Sequence, residues 1–259
     1  MDFSNAYAIA VKDMKEVFSS VEIWGPMLGV PLFFSLMLPL LTFYVTRYAA
    51  PNIANKVLAS TVTASGATGF NAVFMTFFSI NVLGPIFLTM PILTAAVIAA
   101  DSFAGEKERK TSEALLATPI SSAELLVGKI MASFVPATLL TVGVFALYGF
   151  VTNWLAMQQF GVSILPTLPW LMMLATSPFL AIVTIGVVVW VSSHVKGTKE
   201  AQQISTLLVL PVLVIPFISI LGIVDLTSMF FAYLMLVLAA ADVAIIYLGI
   251  KSFRKEAIL

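Results

Sequence analysis

The chain has 259 residues, 60% hydrophobic and only 10% charged, with no formal net charge and a mean hydropathy of +1.05. Soluble domains carry about 25% charged residues, so a soluble globular class is excluded, and zero net charge offers no basic surface to a nucleic acid. A single histidine, His194, and no cysteine exclude disulfides and thiolate metal sites and argue against a zinc centre, so neither metal nor cofactor is expected.

The first segment, Phe3–Val21, is too short and too charged to span a bilayer. Phe3, Ala6, Tyr7, Ala10, Val11, Met14, Val17 and Phe18 recur at helical spacing, with Lys12, Asp13, Lys15 and Glu16 between them. The pattern predicts an amphipathic helix over 3–21, lying along the inner membrane surface until the chain turns in at Trp24–Gly25–Pro26. No short apolar run with a small-residue cleavage site opens the chain, so no removable signal peptide is expected.

A helix needs roughly 20 apolar residues to cross the hydrocarbon core, where an unpaired amide costs several kcal/mol. Six windows meet that requirement: Ile23–Val45, Ile80–Ala100, Ile130–Thr152, Trp170–Ser192, Ile204–Val224 and Met229–Ile250. The second has an alternative start as early as Phe70. The expected fold is all-α, a polytopic membrane protein forming one transmembrane domain over 1–259. An even number of spans puts both termini on one side, and basic residues choose the cytoplasmic side. With the N-terminus inside, the inner segments hold Lys12, Lys15, Lys107, Arg109, Lys110, Lys129, Lys196, Lys199, Lys251, Arg254 and Lys255, whereas the outer loops hold Arg47 and Lys56.

The outer connections are then about 46–79, 153–169 and 225–228. The first contains the small, polar run Ser60–Gly69, which reads as a mobile loop. Pro26, Pro31, Pro39, Pro85, Pro91, Pro211 and Pro216 interrupt the first, second and fifth spans and predict kinks there. Trp24, Trp154 and Trp170 fall where an aromatic belt belongs. The inner loop 193–203, with His194, Lys196, Lys199 and Glu200, reads as a solvated turn or a lesser contact for a partner.

The most polar stretch is Asp101–Lys129, DSFAGEKERKTSEALLATPISSAELLVGK, held between the second and third spans. Glu106–Lys110 and Arg109–Glu113 are opposite-charge pairs four apart, each worth a few tenths of a kcal/mol to a helix. Leu115, Leu116 and Ala117 supply an apolar end, and Thr118–Pro119 breaks the helix. Ser121 and Glu124 form a capping box for the next helix, and Lys129 is placed to snorkel toward the headgroups. Helix, tight break, helix makes a stiff cytoplasmic elbow.

The run GEKERKTSEALLATPISSAELLVGK resembles the signature between the second and third spans of ABC-2-type transporter permeases. The resemblance rests on Glu106, Lys107, Glu108, Arg109, Thr111, Glu113, Leu115, Leu116, Thr118, Pro119, Leu126, Gly128 and Lys129. It implies a half-transporter: two six-span subunits, alike or paralogous, each docked on a separate ABC ATP-binding subunit. The segment 106–129, including Ser121 and Glu124, would be the coupling element. It further implies a multi-pass protein of a prokaryotic cell membrane, surrounded by lipid and exporting its cargo. Some family members carry short re-entrant helices outside between the fifth and sixth spans, for which 225–228 leaves little room.

The chain has no G-x-x-x-x-G-K-[ST] run to cradle phosphates, so it is not expected to be an enzyme and ATP must be hydrolysed by the partner. Asp242 is the one formal charge inside the six windows. An intramembrane acid marks an ion or proton site, or a hydrogen bond to a neighbouring helix. Two rival readings therefore stand beside the permease: a secondary transporter driven through Asp242, and a non-transporting anchor that recruits a cytoplasmic partner.

Overall fold

The computed structural model describes residues 3–48, 70–109, 120–195 and 197–252, and among them every regular element is helical. Helix α1 (Phe3–Ser19) is separated from α2 (Val21–Tyr48) by Ser20 alone. The break between the two helices therefore falls at Ser20, and Trp24–Gly25–Pro26 lies inside α2. The Trp24 N–H donates to the Ser20 carbonyl at 3.1 Å, so the first turn of α2 is already closed when the chain reaches Trp24.

The next rod begins at Phe70, the earlier of the two starts. It runs through α3 (Phe70–Phe78), a π-helical segment (Ser79–Leu83), α4 (Gly84–Phe87), α5 (Thr89–Ala100), a second π-helical segment (Asp101–Gly105) and α6 (Glu106–Glu108). Helix α7 (Ser122–Phe160) has 39 residues, about 58 Å at 1.5 Å per residue, so it overshoots the hydrocarbon core. It stops where Gly161 takes a φ of 69°, a left-handed cap that suits glycine. After it come α8 (Leu168–Ser192), α9 (Thr198–Thr206), α10 (Val209–Ile220) and α11 (Ser228–Ser252). Among the described residues six rods are long and apolar enough to cross a membrane: 27–46, 72–108, 123–160, 168–192, 198–220 and 228–247. The fold is an all-α polytopic membrane protein.

The rod 72–108 is the most enclosed, with 78% of its most apolar window buried, and 228–247 the least, with 11%. Helix α7 packs on α1, α2, α5 and α8, and α8 packs in turn on α5 and α11. Without hydrophobic drive inside lipid, helices associate through close packing, and Gly186 of α8 permits it: a Cβ there would collide with Ile245 of α11.

Near the far end of the bundle, Phe87, Phe145, Tyr148 and Trp170 form a cluster with centroids 4.7 to 6.4 Å apart, mostly edge-on or tilted, with Tyr148 and Trp170 stacked. Trp170 is thus a core residue, 3% exposed, and not part of a belt, whereas Trp154 is 55% exposed. Its position in the first turn of α8, facing α7, sends the ring inward. Asn153 of α7 secures the loop before α8 by accepting from the Ile164 and Leu165 N–H groups at 3.0 and 2.8 Å. Its amide also donates to the Leu165 carbonyl. Residues 221–227, between α10 and α11, carry no helix. The Ser60–Gly69 run lies outside the described residues.

Candidate functional site: a charged joint at one end of the bundle

Five elements meet at the polar end: α1, the Asp101–Gly105 segment, α6, the first turns of α7, and α9. Close approach of α1 to α7 depends on Gly128, where a Cβ would sit 2.7 Å from the Ala6 carbonyl oxygen and 2.8 Å from Ile9 Cβ. The face of α1 turned to the protein carries Ala6, Ile9, Ala10, Asp13 and Val17, all buried, while Tyr7 and Phe18 point away. The amphipathic pattern placed Asp13 with the solvated charges. In fact it belongs to the buried stripe, three residues after Ala10 and four before Val17.

That stripe delivers a carboxylate into the joint. The Ser102 hydroxyl donates to Asp13 Oδ2 at 2.6 Å, and Lys12 lies 3.2 Å from Oδ1. Beside them, Lys129 donates to Glu106 Oε2 at 2.5 Å and to the Ser102 carbonyl, and its Nζ lies 5.0 Å from the Phe103 ring centroid. Lys129 is 1% exposed and Glu106 6%. Snorkelling is therefore not what Lys129 does; its ammonium turns inward because a carboxylate, a carbonyl and an aromatic face are waiting there. Lys12 reaches the other Glu106 oxygen at 3.3 Å. Burial alone would pull the Lys12 ammonium down, but Asp13 and Glu106 more than offset this and hold it above the ordinary lysine value.

Arg109 bridges two elements with its fork, Nη1 donating to Glu16 of α1 at 2.5 Å and Nη2 to Asp101 Oδ1 at 2.6 Å. Glu108 closes the joint on its other side. Helix α9 has Gly197 at its N-cap and so no capping side chain of its own. Glu108 supplies one, accepting from the Thr198 N–H at 3.0 Å and the Thr198 hydroxyl at 2.8 Å. A carboxylate at a helix N-terminus meets unpaired N–H groups and the positive end of the dipole. The loop 193–203 is therefore not merely a solvated turn: it carries a helix tied to α6.

Glu106 and Arg109 thus take long-range partners, while Lys110 and Glu113, their expected local ones, lie outside the described residues. Lys107 is half-buried and makes no ion pair with the described residues. Ser121 and Glu124 do form a capping box: the Ser121 hydroxyl accepts from the Glu124 N–H at 3.2 Å, and the Glu124 carboxylate accepts from the Ser121 N–H at 3.0 Å. Thr111, Glu113, Leu115, Leu116, Thr118 and Pro119, the apex of the elbow, lie outside the described residues.

Asp242 stands apart from this joint. It sits in α11, 4% exposed, and neither carboxylate oxygen has a hydrogen-bond partner among the described residues. Among the described residues no group of three or more potential ligands is arranged to hold a metal.

The joint arrests charged groups from the chain's start, second span, third span and second polar loop in one packed unit, next to an elbow that bears a transporter signature. A comparison with curated proteins gave no match. A family profile described as "ABC-2 family transporter protein" matches residues 7–249, nearly the whole chain and all six rods. The chain belongs to the ABC-2 family of transporter proteins.

Proposed function

We propose that the chain is the membrane-spanning subunit of an ATP-driven exporter, working as a pair of such subunits with a separate ATP-binding subunit docked on the cytoplasmic elbow 106–129. The termini are cytoplasmic and the membrane is a prokaryotic cell membrane. The observation that carries this reading is the buried Lys129–Glu106 pair, which with Arg109 and Glu108 fastens the base of the elbow to α1, α7 and α9.

A hinge would dissipate a push on the apex. A joint with charges satisfied from several sides resists it, since separating one buried partner costs about 3–5 kcal/mol. Displacement of the elbow is then delivered to α1 and to the start of α7 together, and kinked spans convert it into opening and closing by rigid-body motion. Glu106, Lys107, Glu108, Arg109, Ser121 and Glu124 position or bear the elbow, and Thr111, Glu113, Leu115, Leu116, Thr118 and Pro119 form the surface offered to the ATPase.

The test is co-purification with an ATPase and cargo-stimulated ATP turnover in wild type and in charge reversals of Glu106, Arg109 and Glu113. Normal insertion with uncoupled turnover is expected. Unchanged coupling in all three would remove the elbow from the mechanism. Flux that persists without the ATPase and is lost in Asp242→Asn would instead favour ion-driven transport, the reading that the unpartnered Asp242 keeps in play.

A further inference from the structure

A cavity of about 290 Å³ opens between α2, α5 and α9 and ends at the joint. Its volume sits at the small end of the range for small-molecule sites, about 300–1,000 Å³. Met27, Val30, Leu93 and Val97 make its walls apolar, and its polar end is formed by Asp101 and Gln202 together with Thr198. Two of these three also belong to the joint. Asp101 gives Oδ1 to Arg109, and Thr198 is engaged by Glu108.

Asp101 is 9% exposed, and its second oxygen, Oδ2, has no hydrogen-bond partner among the described residues. A carboxylate oxygen at the end of an apolar chamber accepts a hydrogen bond from a cation and repels an anion. The nearest guanidinium does not reverse that preference, because both terminal nitrogens of Arg109 already donate, one to Glu16 and one to Asp101. Glu16 and Glu108 stand nearby, but Arg109 and Lys199 balance them, so the charge left unmatched at the end of the chamber is that of Asp101. The chamber thus asks for an apolar body with a single ammonium head.

We propose that this cavity binds a cationic amphiphile, its ammonium group donating to Asp101 Oδ2 and its alkyl body lying along α2 and α5. An occupant there shares the Asp101 carboxylate with Arg109 and presses on Thr198, so the joint senses whether the cavity is filled. The second half of the proposal deepens the exporter reading and rests on it; the binding itself does not.

The test uses the full chain in nanodiscs of zwitterionic lipid and a dodecylammonium probe carrying a photoreactive diazirine on its chain, with labelled peptides mapped by mass spectrometry. Labelling is expected in α2 and α5 around Met27–Val30 and Leu93–Val97. It should fall at least tenfold in Asp101→Asn, and equally in Leu93→Trp, which fills the chamber without touching the ion pairs. The same probe with a carboxylate head should not label these residues. Labelling spread over the lipid-facing surface of α11, or unaffected by Leu93→Trp, would overturn the site. With the ATPase added, dodecylammonium should stimulate ATP turnover in wild type and in neither variant. Specific labelling without stimulation would leave the site standing and count against the exporter reading.

Discussion

Two π-helical segments interrupt the same rod, Ser79–Leu83 and Asp101–Gly105, and they are set in different chemistry. Each widens the turn to an i-to-i+5 bond, as the Gly84 N–H to Ser79 carbonyl contact illustrates, and so re-aims the side chains that follow. Around the first, everything is neutral. Asn81 donates to the Phe77 carbonyl at 3.1 Å and accepts from Ser219 of α10 at 3.0 Å, and the hydroxyls of Ser79, Tyr148 and Thr152 lie close together without hydrogen-bonding geometry. Around the second, carboxylates and cations from α1, α6 and α7 converge. The same backbone irregularity serves helix packing at one end and a charged joint at the other. Charge is affordable only where water lies near enough to share the desolvation, and there it binds elements that apolar contact alone would let slide.

The comparison is broken most forcefully at Lys129. Lys129→Met takes the enclosed partner from Glu106 and should destabilise the protein by about 3–5 kcal/mol, with Lys129→Met/Glu106→Gln recovering most of it. Chemical denaturation in detergent measures both, and equal losses in the single and double variants would deny that charge holds the joint. Next is Gly128→Val, which must displace the Ala6 carbonyl and Ile9 and should cost about 1–3 kcal/mol. Its signature is selective: proteolysis within α1 accelerates while the aromatic cluster at the other end keeps its near-ultraviolet dichroism.

A smaller effect follows pH. The Lys12 ammonium is held above its ordinary value by Asp13 and Glu106 against the opposing pull of burial, so its contribution is full below the unfolded lysine value of about 10.4 and fades as pH rises through the raised folded value. Alkaline titration of wild type against Lys12→Met should show the two stabilities converging at high pH; parallel curves would assign Lys12 no ionic role. The smallest change is expected at the neutral segment. Tyr148→Phe deletes a buried hydroxyl with no well-formed hydrogen bond among the described residues and only neutral hydroxyls beside it, so thermal unfolding should shift little. A large loss there would mean that the two segments are alike after all.

Much of the joint's composition was legible, but not its pairing. Composition and window length give the six rods, and Ser121-x-x-Glu124 gives the start of α7, because both are local signals. Lys129–Glu106 and Arg109–Glu16 join residues 23 and 93 apart, and no periodicity carries such a partnership. Reading Lys129 as a snorkelling residue followed from treating each side chain against lipid, when its actual environment is a tertiary one. Asp13 did leave a trace, since it occupies the stripe of Ala6, Ala10 and Val17, and a polar residue in an apolar stripe asks for a buried partner. The DSFAG sequence of the second π-helical segment gives no comparable hint, as nothing in those residue types opposes an ordinary α-turn. Trp170 was misjudged for a related reason: proximity to a span's end does not say which way a ring faces.

The rigidity of the joint under load decides the account. Spin labels at the exposed positions Tyr7 of α1 and Lys199 of α9, in nanodiscs with the ATPase partner, report its two flanks, and a label at exposed Tyr233 of α11, a rod that takes no part in the joint, reports the rest of the bundle. Pulsed dipolar distances through the ATP cycle should show 7–199 constant while 7–233 changes, as a unit moving whole requires. A 7–199 distance that shifts between nucleotide states would contradict it.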